Sequence, residues 1–162
     1  MSANPLLGIE LGIDRCNCSA VRKASRRITR LYDSHLEPAG LRITQFLILA
    51  ALRQVGSAAI HALAERLDVE RTAMGKMVGF LERDGFVTAK PSPTDGRSRV
   101  IELTEEGRKL HAKADPLWRE AQRQLEEFNG AGHVAELRKS LHGMVTGEGV
   151  SSGSQSMEDS SD

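Results

Sequence analysis

Residues 63–87 read LAERLDVERTAMGKMVGFLERDGFV. Apolar residues recur in and around this stretch at steps of three and four, a spacing that predicts two short amphipathic helices, about His61–Leu67 and Arg71–Asp84. The three residues between them, 68–70, predict a tight turn. Two such helices in this order are typical of a helix-turn-helix, although the same pattern also occurs in helix pairs that only form a core.

A hairpin follows the helix pair. Residues 86–90 and 99–103 predict its two strands, and the Pro- and Gly-containing segment between them predicts its turn. Residues 95–107 read DGRSRVIELTEEG, so the turn carries Arg97 and Arg99 beside Asp95. Arginine on a narrow protruding ribbon suits the minor groove of duplex DNA, whose negative potential attracts it.

Four more helices flank this unit. Two are predicted before it, at about Cys16–Leu36 and Thr44–Val55; two follow it, one from Thr104 to Asn129 and one containing Val134–Met144. We expect Thr44 to cap the second helix, and we expect that helix to be buried nearly all round because it has little polar face. The hairpin is expected to be the only sheet. The predicted fold is therefore mainly α, with about six helices and a β-hairpin wing.

The predicted helix Arg71–Asp84 has one apolar and one polar side. The apolar side should pack on the domain and consists of Met74, Met77, Val78 and Leu81. The polar side can enter a major groove, and its candidate DNA contacts are Arg71, Thr72, Ala73 and Lys76. We also expect unpaired backbone N–H groups at the start of this helix to favour a phosphate.

These residues resemble the MarR family of winged helix-turn-helix regulators. The resemblance covers about residues 14–146 and is carried by Leu63–Leu67, Arg71-Thr72, Leu81–Val87 and above all Asp95–Gly107, where an Asp-x-Arg tip leads into Leu-Thr-x-x-Gly. It implies a recognition helix at Arg71–Asp84, a wing arginine at Arg97 and double-stranded DNA as the partner. It also implies a repressor that releases DNA when a small anionic or phenolic ligand, or an oxidant, acts.

The resemblance further implies a homodimer whose first, fifth and sixth helices intertwine. On this interpretation residues 1–146 form one unit, with dimerisation helices at about 14–37 and 108–146 and the winged helix-turn-helix at about 42–107. Residues 147–162 are expected to be a disordered acidic, Ser-rich tail. The apolar stripes of the last two helices extend past the DNA-binding unit and need a partner. Two recognition helices about 34 Å apart predict a palindromic operator.

The sequence is compatible with two mechanisms for the release of DNA. A small-molecule effector would bind between the dimer helices and the DNA-binding unit, and its candidate lining residues are Arg22, Arg26, Tyr32, Phe46, His111 and Trp118. Alternatively, Cys16 and Cys18 sense oxidants, since nearby basic residues and the helix start favour thiolate. The resemblance places Cys18 at the reactive position of the peroxide-sensing branch of the family, with Tyr32 at one of its tyrosine positions and Arg22 in place of the other. Phe46 and Trp118 can equally be core residues, and the cysteines can be small residues of an interface.

Composition and motifs argue against other classes. The 162 residues carry 22 Lys and Arg against 22 Asp and Glu, an ordinary globular balance. No apolar run approaches the roughly 20 residues that span a bilayer, and no signal peptide is evident, so a cytoplasmic protein is expected. No metal-ligand spacing, phosphate loop or catalytic triad indicates a cofactor or an enzyme. A winged-helix module that binds a protein instead of DNA is the alternative, and steep salt dependence of duplex binding would separate the two.

Overall fold

The computed structural model describes residues 11–92 and 99–147 and is mainly helical. Over these residues every predicted helix and strand is present, with one short strand in addition. The elements are α1 Asn17–Leu36, α2 Ile43–Val55, β1 Ser57–Ala58, α3 Ile60–Arg66, α4 Arg71–Arg83, β2 Val87–Pro91, β3 Arg99–Leu103, α5 Glu105–Asn129 and α6 Ala131–Thr146. Short 3-10 turns at Gly12–Arg15 and Glu37–Ala39 flank α1.

The helix-turn-helix forms because α3 and α4 each bury one face. The buried side chains are Leu63 and Ala64 of α3 and Met74, Val78 and Leu81 of α4, and Met77 is half-buried. Burial of one large apolar side chain contributes about 1.5–3 kcal/mol. Gly85 ends α4 with a φ of 80°, a conformation that residues with a Cβ rarely adopt. The apolar spacing in the sequence is therefore confirmed as the packed side of both helices.

The sheet has three antiparallel strands in the order β1-β3-β2. Strands β2 and β3 form the predicted hairpin, with Val87 opposite Leu103. The described residues contain a single sheet, as predicted, but the hairpin is not the whole of it, because β1 pairs with the other edge of β3 at Glu102 and Ile101. A strand of two residues is too short to show alternating hydrophobicity, so the sequence gives no sign of it.

Helix α2 contributes much of the core. Phe46, Ile48, Leu49 and Leu52 are buried. The helix is not buried all round, contrary to expectation, since Leu47 is 38% exposed and Val55 is 64% exposed. An apolar residue type is necessary for burial but does not ensure it, because apolar atoms still contribute more than half of a protein's surface.

The start of α2 is fixed by a residue of α1. Helix α2 begins at Ile43, so the predicted cap Thr44 lies inside the helix. The Asp33 carboxylate instead accepts a hydrogen bond from the Ile43 backbone N–H at 2.8 Å, and it lies 3.4 Å from a guanidinium nitrogen of Arg42. One of the unpaired donors of the helix start is thus satisfied from a neighbouring helix.

Asp33→Ala should destabilise the fold by about 1–2 kcal/mol, because the half-buried Ile43 N–H then loses its acceptor. Asp33→Asn is the matched control: its side-chain oxygen can still accept from Ile43, and only the exposed contact with Arg42 weakens, which is worth less than about 1 kcal/mol. Urea denaturation measures both variants. An equal loss in both would show that the ion pair, and not the hydrogen bond to the helix start, is the important contact.

The first turn of α5 is joined closely to the end of α4. The Thr104 hydroxyl donates to the Gly85 carbonyl at 2.6 Å and accepts from the Gly107 N–H at 3.0 Å, so it caps α5. The Thr104 N–H donates to the Phe86 carbonyl at 3.1 Å. A Cβ on Gly107 would lie 1.9 Å from that carbonyl oxygen. The Leu-Thr-x-x-Gly run therefore allows α5 to start in direct contact with the hairpin.

The described residues fall into two compact units, divided between Gln122 and Arg123 inside α5. In the first unit, Ala114 and Ala121 of α5 are buried. In the second unit Val134 is buried. Five other apolar residues of this unit are exposed: Phe128, Leu137, Leu141, Met144 and Val145. Within the described ranges, no helix has the length and apolar character needed to cross a membrane. Residues 148–162, most of the predicted tail, lie outside the described residues.

Candidate nucleic-acid interface

The outward face of α4 carries the predicted DNA contacts. Arg71, Thr72, Ala73 and Lys76 are all exposed, while the opposite face of the helix is buried. Arg71 and Lys76 make no hydrogen bond or ion pair with another described residue. Two cationic side chains are thus available to an anionic partner on a helix whose position is fixed by the core.

A carboxylate occupies the start of α4. Glu70 is the N-cap residue, and its Oε2 accepts from the Ala73 N–H at 3.0 Å. Hydrogen bonds from the backbone N–H groups of Thr72 and Ala73 hold the pKa of Glu70 below its ordinary value. The expectation of unpaired N–H groups that favour a phosphate here is therefore wrong, since the Ala73 N–H is paired with Glu70 and the added charge is negative.

The hairpin holds the other predicted contacts. Asp95 and Arg97, the candidates for the wing tip, lie outside the described residues. Arg99 is exposed at the start of β3, and its guanidinium donates to the Ala89 carbonyl at 2.8 Å. One guanidinium nitrogen of Arg99 is therefore already used in a hydrogen bond between the two strands of the hairpin.

Further polar contacts fix the hairpin to α4. The Glu82 carboxylate accepts from the Ala89 N–H at 3.3 Å and so links α4 to β2. Lys90 and Glu102 form an ion pair across the two strands. Sequence reasoning did not identify these residues, because each partner lies on a different element. The contact between Glu82 and Ala89 gives the base of the hairpin a defined position relative to α4, and the ion pair joins its two strands.

Four of the six candidate effector residues lie together. The ring of Phe46 stacks on His111, with centroids 5.4 Å apart, and on Trp118, with centroids 5.6 Å apart. Trp118 also lines an open cleft of about 260 Å³, together with Ile28, Thr29, Tyr32, Ile43, Leu47 and Gln122. Arg22 and Arg26 are exposed on α1 and do not line this cleft. The structure thus groups the aromatic candidates and leaves both arginines outside.

His111 should make the stability of the fold sensitive to pH. Burial lowers the pKa of His111; the charge of Asp115 raises it in part, and Arg53 lowers it further. The unfolded chain therefore takes up this proton at a higher pH than the folded chain. We expect the free energy of unfolding to decrease as the pH falls below about 6.5, the ordinary histidine value.

His111→Phe should reduce this pH dependence, because it keeps a ring against Phe46 but cannot be protonated. Urea midpoints at about pH 7.5 and pH 5.5 measure the effect. His61→Gln, which removes an exposed histidine of α3, is the control and should retain the wild-type dependence. A His111→Phe chain with undiminished pH dependence would contradict the assignment.

The two cysteines are free and exposed at the start of α1. Cys16 is the N-cap residue, and Cys18 lies in the first turn of the helix. Both positive and negative side chains lie in this part of the sequence, since Lys23 Nζ forms an ion pair with Asp14 Oδ1 at 3.2 Å. Among the residues that the structure covers, no group of three or more His, Cys, Asp or Glu is placed to hold a metal ion.

Comparison with known proteins assigns the fold to a family. A model of the MarR family matches residues 41–98, the segment from just before α2 into the hairpin. The homoprotocatechuate degradative operon repressor of Escherichia coli is 31% identical over 101 residues, which are 62% of this chain and 68% of that protein. The chain belongs to the MarR family. The resemblance in the helix-turn-helix and hairpin residues is thereby confirmed.

Two further proteins similar to this MarR-family chain are informative. The organic hydroperoxide resistance transcriptional regulator of Bacillus subtilis (strain 168) is 30% identical over 97 residues; the alignment covers 60% of this chain and 66% of that regulator, just under two thirds of its length. The transcriptional regulator MosR of M. tuberculosis, solved in complex with DNA, is 33% identical and superposes with a TM-score of 0.72 over 82% of this chain and 96% of MosR. The mainly helical winged-helix fold of the MarR family is thus confirmed over most of the chain.

Proposed function

We propose that this MarR-family chain is a sequence-specific transcriptional repressor that binds double-stranded DNA. The observation that carries the proposal is the exposed face of α4, where Arg71 and Lys76 have no partner among the described residues and Thr72 lies beside them. MosR was solved with DNA, and the Escherichia coli relative is named a repressor. We also place the chain in the cytoplasm, where a regulator of the MarR family is expected to act.

In the proposed complex, α4 enters the major groove. Arg71, Thr72 and Ala73 are at the end of the helix that faces base edges, and Lys76 contacts phosphate. The wing would place Arg97, oriented by Asp95, in the adjacent minor groove, with Arg99 at its base. Recognition then combines direct reading of bases with the shape and potential of the minor groove.

A second copy of the chain completes the proposed binding unit. Apolar residues of α6 are exposed, among them Leu137, Leu141 and Met144, and a contiguous exposed apolar patch marks an interaction site. We assign dimerisation to about residues 14–37 and 108–146, and a two-fold axis then predicts a palindromic operator. Size measurement at micromolar concentration tests the dimer, and a strictly monomeric chain would contradict it.

Selection of bound duplexes from a random pool tests DNA recognition. We expect one palindromic sequence to be enriched, with an affinity that falls by about 10³-fold between about 50 and 200 mM salt if some six phosphates are contacted. Absence of enrichment, together with binding that does not depend on salt, would favour a module that binds protein. The enriched sequence would also identify the regulated promoters.

The cleft beside Trp118 is the proposed effector site. Its volume, about 260 Å³, is slightly below the roughly 300–1,000 Å³ of most ligand sites and suits a single aromatic ring. Its polar lining groups belong to Thr29, Tyr32 and Gln122, and no cation lines it, so hydrogen bonding rather than ion pairing would orient the ligand. Trp118 is the single tryptophan of the chain, so quenching of its fluorescence by single-ring phenols and benzoates reports binding directly. Release of the operator at the same concentrations would identify an effector, whereas binding without release would refute this role.

Oxidant sensing is the second candidate for the switch. It is supported by the exposure of Cys16 and Cys18 and by the 30% identity to a regulator named for organic hydroperoxide resistance. Mild treatment with an organic hydroperoxide should then abolish operator binding in the wild type but not in Cys18→Ser. Unchanged binding of the wild type after treatment would remove this candidate.

A further inference from the structure

Glu70 is an acid on an otherwise basic part of the α4 surface. Arg71, which follows it, and Lys76 one turn further on are exposed cations that contact no polar partner within residues 11–92 and 99–147. Serine, threonine, aspartate and asparagine are the preferred residues at a helix start, and glutamate is not among them. Capping alone therefore does not explain why this position carries a longer acidic side chain on a surface proposed to meet a polyanion.

The Glu70 carboxylate is held across the first turn of α4. Its Oε2 accepts from the Ala73 N–H at 3.0 Å, and hydrogen bonding to the backbone N–H groups of Thr72 and Ala73 lowers the pKa of the Glu70 carboxyl. These hydrogen bonds favour the ionised form and hold the group in one place. A carboxylate has about four acceptor positions, so at least one remains for an outside donor at this exposed residue.

Thr72 lies two residues after Glu70 and is exposed, and its hydroxyl oxygen can accept a hydrogen bond. Glu70 and Thr72 can therefore both present acceptors at the start of α4. In the major groove the base donors are the N4 amino group of cytosine and the N6 amino group of adenine, whereas guanine and thymine present acceptors there.

We propose that Glu70 is a specificity-determining residue that accepts a hydrogen bond from the N4 amino group of a cytosine in the operator and keeps phosphate away from the start of α4. Cytosine fits better than adenine, because adenine places its N7 acceptor next to the N6 donor and would repel the carboxylate. The exposed Thr72 hydroxyl is a second acceptor beside it. This inference rests on the proposed DNA-binding function.

The test uses the full-length chain and the duplex enriched by selection. Affinities for this duplex and for its single base-pair substitutions are measured at one salt concentration for the wild type, Glu70→Gln and Glu70→Ser. Serine is a preferred cap, so Glu70→Ser separates loss of the carboxylate from loss of helix stability, and thermal midpoints check the fold. Glu65→Gln, which neutralises an exposed acid of α3, is the control for net charge.

We expect the wild type to lose about 10-fold in affinity when one C·G pair of each half-site is changed, and Glu70→Ser to lose less than about 3-fold at that pair only. Glu70→Gln, whose amide oxygen can still accept from the N4 amino group, should fall between the two. Glu65→Gln should keep the full preference. Glu70→Ser should also bind unrelated duplexes about 2- to 5-fold more tightly, because a negative charge facing phosphates has been removed.

Three results would count against the inference or its basis. Unchanged base preference in both Glu70 variants, with only the thermal midpoint altered, would show that Glu70 acts as a helix cap alone. A Glu70-dependent preference for adenine or guanine would refute the assignment of cytosine. Failure of the wild type to bind any duplex would refute the proposed function itself, and this is observed before any variant is compared.

Discussion

Gly107→Ala should lower the free energy of unfolding by about 3 kcal/mol or more. The added Cβ would lie 1.9 Å from the Phe86 carbonyl oxygen and 2.9 Å from its carbon. Both atoms belong to the backbone and cannot rotate away as a side chain can. The first turn of α5 would have to move off the hairpin, and this movement breaks the 3.1 Å hydrogen bond from the Thr104 N–H to the Phe86 carbonyl.

Gly79→Ala is the matched control for this substitution. Gly79 lies inside α4, and a Cβ there would meet no heavy atom within 4 Å. Alanine should therefore stabilise the helix by about 0.5–1 kcal/mol through backbone entropy. Urea denaturation followed by circular dichroism compares the two variants with the wild type. A Gly107→Ala chain as stable as the wild type would mean that α5 does not approach the hairpin this closely.

Combined replacement of Arg71 and Lys76 by alanine should weaken duplex binding by about 100-fold at moderate salt. Both side chains are exposed on α4 and pair with no residue in the part of the chain that the structure describes, so their charges are available to DNA and their loss should leave the fold intact. Each phosphate contact contributes about 0.9 to the slope of log affinity against log salt. The double variant should therefore flatten this slope by about two if both residues contact phosphate, and by about one if Arg71 reads a base.

Arg119→Ala is the control for loss of positive charge. Arg119 is exposed on α5 and pairs with Asp115 at 2.7 Å, so its charge is already partly neutralised. Its replacement should change duplex affinity by less than about 2-fold. Binding of the Arg71 and Lys76 double variant with wild-type affinity and salt dependence would show that α4 is not the DNA-reading helix.

The local pattern of the sequence was sufficient for the main elements. Met74, Val78 and Leu81 recur at the helical period, and burial of this stripe fixes which side of α4 faces outward. The same periodicity predicted α3, and turn residues predicted the hairpin. These predictions succeeded because the spacing of apolar side chains and the conformational limits of Gly and Pro act within one element.

Contacts between different helices and strands could not be predicted from the local spacing of residues. Asp33 replaces the predicted cap Thr44 at the start of α2, although ten residues separate it from Ile43. The carboxylate of Glu70 overturns the expected phosphate site, because an N-cap interaction depends on which way a long side chain folds back. Tyr32 and Trp118 line the cleft and Phe46 stacks on Trp118, but Arg22 and Arg26 do not line it, since periodicity gives a face of α1 and not its neighbour.

The amino-acid sequence by itself determined the helix-turn-helix with its hairpin, the outward face of α4 and the family resemblance, because each follows from residue types at short spacing. Only the tertiary structure decided the role of Gly107, the partner of the Ile43 N–H, the third strand and the residues that line the cleft. Each of these depends on two segments that lie far apart in the chain and meet only after folding. Their distance and direction are set by the packing of the whole core, and no local pattern encodes that packing.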